Sequence, residues 1–173
     1  MMKTTANKIT MLRIVLIPVF LVLAYADMMM AALAVYVLAC LSDFADGYVA
    51  RHFNQISNFG KFMDPLADKL LVLAAMCFFV ENGQMAGWAV AVVLFREFAV
   101  SGMRLLAVEQ GQVIAAAWSG KIKTAATMVC LIVMLLINNS TVNLVSTIII
   151  VATTVYSGIE YFYVNRAVFK EAD

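Results

Sequence analysis

Charge is confined to a few narrow zones in this sequence, and that confinement limits the fold more than any motif does. Between the zones lie six apolar segments, roughly 10–26, 30–50, 62–80, 85–106, 120–137 and 142–163. Each is near the ~20 residues a helix needs to cross a hydrocarbon core, if charges are tolerated near one end. Composition agrees, since 64% of the 173 residues are hydrophobic and 13% charged, against roughly 45–50% and about 25% in soluble domains. The pattern predicts an all-α polytopic bundle of six transmembrane helices, one membrane domain over 1–173, with no internal repeat or soluble appendage.

Alternating spans distribute the basic residues unevenly. Lys3, Lys8, Arg13, Arg51, Lys61, Lys69, Arg104, Lys121, Lys123, Arg166 and Lys170 fall on one side, whereas the connections around Asp27, 81–83 and 138–143 contain no lysine or arginine. The positive-inside rule then places both termini in the cytoplasm, in a multi-pass protein of the cell's inner membrane. Arg96 is the one basic residue deep within a span. The first span ends in Ala24-Tyr25-Ala26, similar to a signal-cleavage site, so its removal is the competing expectation. Cys40, Cys77 and Cys130 are widely spaced without a CxxC pair, and His52 is the only histidine, so thiolate zinc sites and paired-imidazole chemistry are excluded. Nothing in the sequence calls for a nucleic-acid partner.

The stretch 42–68, SDFADGYVARHFNQISNFGKFMDPLAD, puts Asp43, Asp46, Asp64 and Asp68 at the same-side ends of spans two and three. An ionised carboxylate at a membrane-helix centre costs about 2.5–3.5 kcal/mol on insertion scales, and clustered acids repel one another. Bound cations remove both penalties. Asp43 and Asp46 are spaced i, i+3 and Asp64 and Asp68 i, i+4, so each pair shares a helix face. An all-oxygen donor set suits Mg²⁺ or Mn²⁺, and two such ions about 3.5–4 Å apart neutralise a diphosphate. Gly47, Ala50 and Gly60 keep this face open to a ligand, and Arg51 can fork onto phosphate oxygens. Pro65 disfavours helical geometry at Asp64, which predicts that the third helix begins or kinks there. The competing reading makes these acids interfacial partners of Arg51, Lys61 and Lys69, and a second makes them a divalent-cation path, although all sit near one interface.

The order Asp43-x2-Asp46-Gly47-x2-Ala50-Arg51-x8-Gly60-x3-Asp64-x3-Asp68 resembles the signature of the CDP-alcohol phosphatidyltransferase family at every fixed position. The resemblance implies a six-span fold, a CDP-diacylglycerol donor and a homodimer. It also implies that Asp43, Asp46 and Asp64 ligate metal, that Asp68 ligates metal or acts as general base, and that Asp46, Gly47, Ala50, Arg51 and Gly60 form the CDP site.

The acceptor must be read from other polar residues on the same side. Arg96, Glu97, Ser101 and Arg104 lie on span four, and Lys121, Lys123 and Thr124 open span five. That many cations suit a phosphate dianion better than a neutral or zwitterionic alcohol. The segments FREFAVSGMR and GQVIAAAWSGKIKT look like the matching region of phosphatidylglycerophosphate-forming members of the family, as does ANKITMLR at Asn7, Thr10 and Arg13, with Ala6 where proline is common. The resemblance implies glycerol 3-phosphate as acceptor, with its phosphate on Arg104 and Lys121, joined by Lys123 and, more peripherally, Arg96 and Ser101. Inositol phosphate and phosphatidylglycerol are the other acceptors the family pattern allows. On the bland reading, Lys121 and Lys123 anchor the span and Arg96–Glu97 is a structural ion pair.

Overall fold

The computed structural model describes the backbone of residues 5–52, 58–112, 114–115 and 117–169; within these, the side chains of 5–8, 43–52, 58–62, 64, 167 and 169 fall outside the description. Six helices follow one another: α1 (Thr5–Tyr25), α2 (Met29–His52), α3 (Asn58–Glu81), α4 (Gly87–Glu109), α5 (Trp118–Leu136) and α6 (Ser140–Val164), then a 3₁₀ turn, Arg166–Phe169. Each lies on one expected segment, and no strand occurs among the described residues.

Short connections reverse the chain where turn chemistry permits. Asp27 adopts φ 61° between α1 and α2, a left-handed conformation that aspartate tolerates better than most residues. Gly83 (φ 68°) ends α3, its N–H donating to the Val80 carbonyl. Asn139 caps α6 by accepting from the Thr141 N–H at 2.9 Å. Gly83 therefore lies in a turn, and Gly87 opens α4.

The third helix departs from expectation. It starts at Asn58 and runs through Pro65, about two turns in, so Asp64 is not in its first turn. A proline withdraws only one helical donor, and intact turns on both sides keep the helix continuous where few other partners are available.

Pairings fix an up-and-down arrangement. Phe20 on α1 packs against Tyr36 on α2 and Phe78 on α3, while the Tyr25 hydroxyl donates to Glu81. At the opposite end Arg13 reaches Ser42 and Asp68, making α1 antiparallel to α2 and parallel to α3. α4 and α5 both pack on α6, and α5 also on α2. Gln84 donates to Asn138 at the Tyr25 end. Among the described side chains, Arg13, Lys69, Arg96, Arg104, Lys121 and Lys123 gather toward the end that holds Asp68.

The bundle has an apolar core, around Phe20, Tyr36, Met76, Phe79, Leu131 and Ile150, and an apolar exterior as well. Thr10, Arg13, Lys123, Thr154 and Ser157 are buried, whereas Phe95, Phe98, Trp118 and Ile159 are more than 65% exposed. Such an exterior suits hydrocarbon surroundings. By length and composition α5 and α6 are the two helices apolar enough to cross a bilayer among the described residues. α3 and α4 carry Lys69, Arg96, Glu97 and Arg104 within their length, and the described apolar stretches of α1 and α2 are shorter, Ile9–Tyr25 and Met29–Ser42.

Candidate functional site

α2 is helical through Asp43 and Asp46, and α3 through Asp64 and Asp68, so the spacings that put each pair on one face hold at the backbone. The side chains of Asp43, Asp46, Asp64, Ala50 and Arg51, and positions Gly47 and Gly60, lie outside the described residues. Their convergence belongs to the proposal below.

Asp68 is described, and its environment shows what sequence reasoning missed. Arg13, fully buried, donates from Nη1 to Asp68 Oδ1 at 2.7 Å and from Nε to Ser42 Oγ at 3.2 Å. Ser42 in turn donates to the Ala39 carbonyl at 2.7 Å. One guanidinium thus ties α1 to the residue before Asp43 on α2 and to the second aspartate on α3. In the sequence Arg13 reads as an orientation-setting charge and a match to the family's opening. Its position inside an apolar span was the overlooked signal, because an ionisable group there generally has a specific partner.

Asp68 opens onto a cavity of ≈ 340 Å³ between α3, α4 and α5. Its polar end carries Asp68, Lys69, Glu97, Lys123 and Thr124, and its walls include Leu70, Leu73, Leu94, Phe98 and Met128. A second cavity, ≈ 500 Å³, is lined by Arg96, Arg104, Gly120, Lys121 and Tyr161. Glu97, Thr124 and Met128 line both.

Glu97 organises the boundary between them. Its Oε1 lies 2.6 Å from Lys123 Nζ and 3.2 Å from Arg96 Nη1, and its Oε2 lies 3.5 Å from Lys69 Nζ. One carboxylate facing three cations leaves the region net positive. Such a buried cluster is held by mutual compensation, since removing one member of a buried pair leaves the other charge desolvated.

The expected acceptor residues separate within this frame. Arg104 and Lys121 line the second cavity and are exposed; Arg104 Nε donates to the Tyr161 hydroxyl at 2.9 Å, and the Lys121 ammonium sits 4.8 Å from the Trp118 ring centroid. Arg96 lines the same cavity and also donates to Ser157 Oγ at 2.6 Å. Lys123, two residues from Lys121, is buried against Glu97 and lines the first cavity. Ser101 accepts from Lys69 Nζ at 3.0 Å and is exposed.

Fold and polar end together define a class: a helical bundle, apolar outside, with a cluster of charged groups lining two cavities toward one end among the described residues. Residues 3–157 match the family model described as CDP-alcohol phosphatidyltransferase. The chain belongs to the CDP-alcohol phosphatidyltransferase family. It is 39% identical, over an alignment 189 positions long with gaps, to a Bacillus subtilis (strain 168) protein named CDP-diacylglycerol--glycerol-3-phosphate 3-phosphatidyltransferase, covering 96% of this chain and 97% of that one. An Escherichia coli (strain K12) protein of the same name is 37% identical over 131 residues, 71% of each chain. A Mycobacterium tuberculosis (strain ATCC 25618 / H37Rv) protein named probable phosphatidylglycerophosphate synthase is 32% identical over 165 residues, 90% of this chain and 78% of the relative.

Proposed function

We propose that this chain transfers the phosphatidyl group of CDP-diacylglycerol to glycerol 3-phosphate, releasing CMP and forming phosphatidylglycerophosphate. The names of the relatives support that substrate pair. The observation in this molecule that carries it is the cavity lined by Arg96, Arg104 and Lys121 beside the one that holds Asp68. A phosphate-bearing acceptor on the cations would present its hydroxyl toward the acidic end.

In this scheme the primary hydroxyl of glycerol 3-phosphate attacks the lipid-attached phosphorus. Its proton passes to Asp68, the phosphorus–oxygen bond to CMP breaks, and CMP leaves. Arg13 holds Asp68 in place, Arg51 steadies the diphosphate, and Gly47, Ala50 and Gly60 keep the nucleotide face open. Direct transfer is favoured because, among the described residues, no serine or cysteine has an activating partner of the kind a covalent intermediate needs.

The donor set fits Mg²⁺ or Mn²⁺, for it is all oxygen and two helices carry it at helical spacing. Asp43, Asp46 and Asp64 would hold the ions, with Asp68 beside them, and two bound ions would spread the charge that develops on the phosphate oxygens. Stripping divalent ions with a chelator is expected to reduce CMP release to background, and adding back Mg²⁺ or Mn²⁺ to restore it. Full activity in metal-free protein would rule out this part of the scheme.

The same reading takes 1–173 as one membrane domain with six crossings, cytoplasmic termini and a cytoplasm-facing site in the inner membrane. Its support is the gathering of basic residues at one end. Homodimerisation rests on the family resemblance. Arg104→Ala and Lys121→Ala are each expected to raise the KM for glycerol 3-phosphate by roughly 10–100-fold, with a smaller change in the KM for CDP-diacylglycerol. CMP release measured against both substrates tests this, and unchanged acceptor kinetics in both variants would reject the phosphate pocket.

A further inference from the structure

We propose that α6, to which the sequence assigned no chemical role, aims the acceptor pocket: Ser157 and Tyr161 are positioning residues for Arg96 and Arg104. This rests on reading the second cavity as the site of the acceptor's phosphate.

Ser157 and Tyr161 are four apart, hence on one face of α6, and they are 0% and 1% exposed. Ser157 Oγ accepts from Arg96 Nη2 at 2.6 Å, and the Tyr161 hydroxyl accepts from Arg104 Nε at 2.9 Å. The Arg104 guanidinium also lies 5.4 Å from the Tyr161 ring centroid, within the range of cation–π attraction. Two kinds of contact from one side chain therefore restrain it.

Spacing adds a second argument. Arg96 and Arg104 are eight residues apart on α4, about 12 Å along the axis, while their anchors are four apart on α6, about 6 Å. Both arginines, held at these anchors, line the second cavity. Two glycines leave the room that Arg96 occupies. A Cβ on Gly158 would come 3.3 Å from its Cγ, and one on Gly120 would come 3.5 Å from its Nη2.

The chemistry of the anchors suits the task. The Tyr161 contact takes up Nε of Arg104, and no other hydrogen bond to Arg104 occurs among the described residues. The terminal nitrogens remain for a phosphate, whose oxygens match the guanidinium fork. A hydroxyl also anchors the cation without neutralising it, as a carboxylate would. An arginine left to its rotamers would have to be ordered by the acceptor on every binding event, which weakens binding without touching the reacting atoms.

The test uses the purified full-length chain, with CMP release measured at varied glycerol 3-phosphate and varied CDP-diacylglycerol. Tyr161→Phe removes one oxygen and keeps the ring. It is expected to raise the KM for glycerol 3-phosphate about tenfold, the scale of a hydrogen bond to a charged group, with kcat and the KM for CDP-diacylglycerol within about twofold of the parent. In an Arg104→Ala background the same change should have no further effect, because its route of action is gone. Ser157→Ala provides the parallel test through Arg96 if the Tyr161 variant does not fold. An unchanged acceptor KM in Tyr161→Phe, alongside a raised one in Arg104→Ala, would overturn the positioning role and leave the pocket standing. Equal losses in all parameters, or additive effects in the double variant, would mark Tyr161 as merely structural. No effect from Arg104→Ala itself would remove the pocket and this inference with it.

Discussion

Asp43→Asn protein is expected to release CMP at least about a thousandfold more slowly than the parent while keeping its thermal midpoint. The substitution is nearly isosteric, so packing should survive. It replaces a carboxylate with an amide, which carries no charge to hold a divalent ion and can turn donor N–H groups toward it. Loss of one group that stabilises developing phosphate charge costs about 10²–10³ in rate where the group is a neutral donor, and a displaced cation should cost more. The location sharpens the expectation. Ser42, the neighbour of Asp43, is held by Arg13, which also holds Asp68, so the acid-bearing ends of α2 and α3 are tied through one side chain. Metal affinity measured by titration should fall together with the rate. Normal turnover by purified, well-folded Asp43→Asn protein would remove the metal-assisted mechanism.

Arg13→Met should damage stability and activity together. Arg13 is fully buried and pairs with a partly buried Asp68; breaking such a pair from one side typically costs about 3 kcal/mol, because the remaining charge sits in a poor dielectric. The thermal midpoint should drop by several degrees, and CMP release should fall at least about a hundredfold as Asp68 loses the contact that orients it. Arg13→Lys should recover only part of either quantity, since an ammonium cannot offer Nε to Ser42 and Nη1 to Asp68 in one rigid fork. Adding Asp68→Asn to Arg13→Met removes the carboxylate with which Arg13 pairs. Stability should then return in part, with activity still lost. A parent-like midpoint and rate in Arg13→Met would show that the contact is dispensable and that Asp68 is positioned by other groups.

Much of the architecture was legible because it depends on local properties. Hydropathy and length marked all six helices, and the sidedness of the basic residues anticipated their gathering at one end. The acid spacings were legible too, as i, i+3 and i, i+4 survive in any continuous helix. The third helix does not begin at Pro65, whose local preference is outweighed by the need to keep backbone groups bonded within a helix. The final span contained a fainter clue. Thr154, Ser157 and Tyr161, spaced i, i+3 and i+7, form a polar stripe that should face the interior of a bundle with an apolar exterior.

The sequence by itself determined an all-helical chain, its segment boundaries, the pairing of its acids and its membership of a family with a diphosphate-activated donor. Only the tertiary structure decided that Arg13 is buried on Asp68, that Lys123 turns to Glu97 while Lys121 faces the second cavity, and that α6 anchors the α4 arginines. The physical reason is separation along the chain. These contacts join residues 26, 55, 57 and 61 positions apart, and which helix face meets which depends on packing among all six.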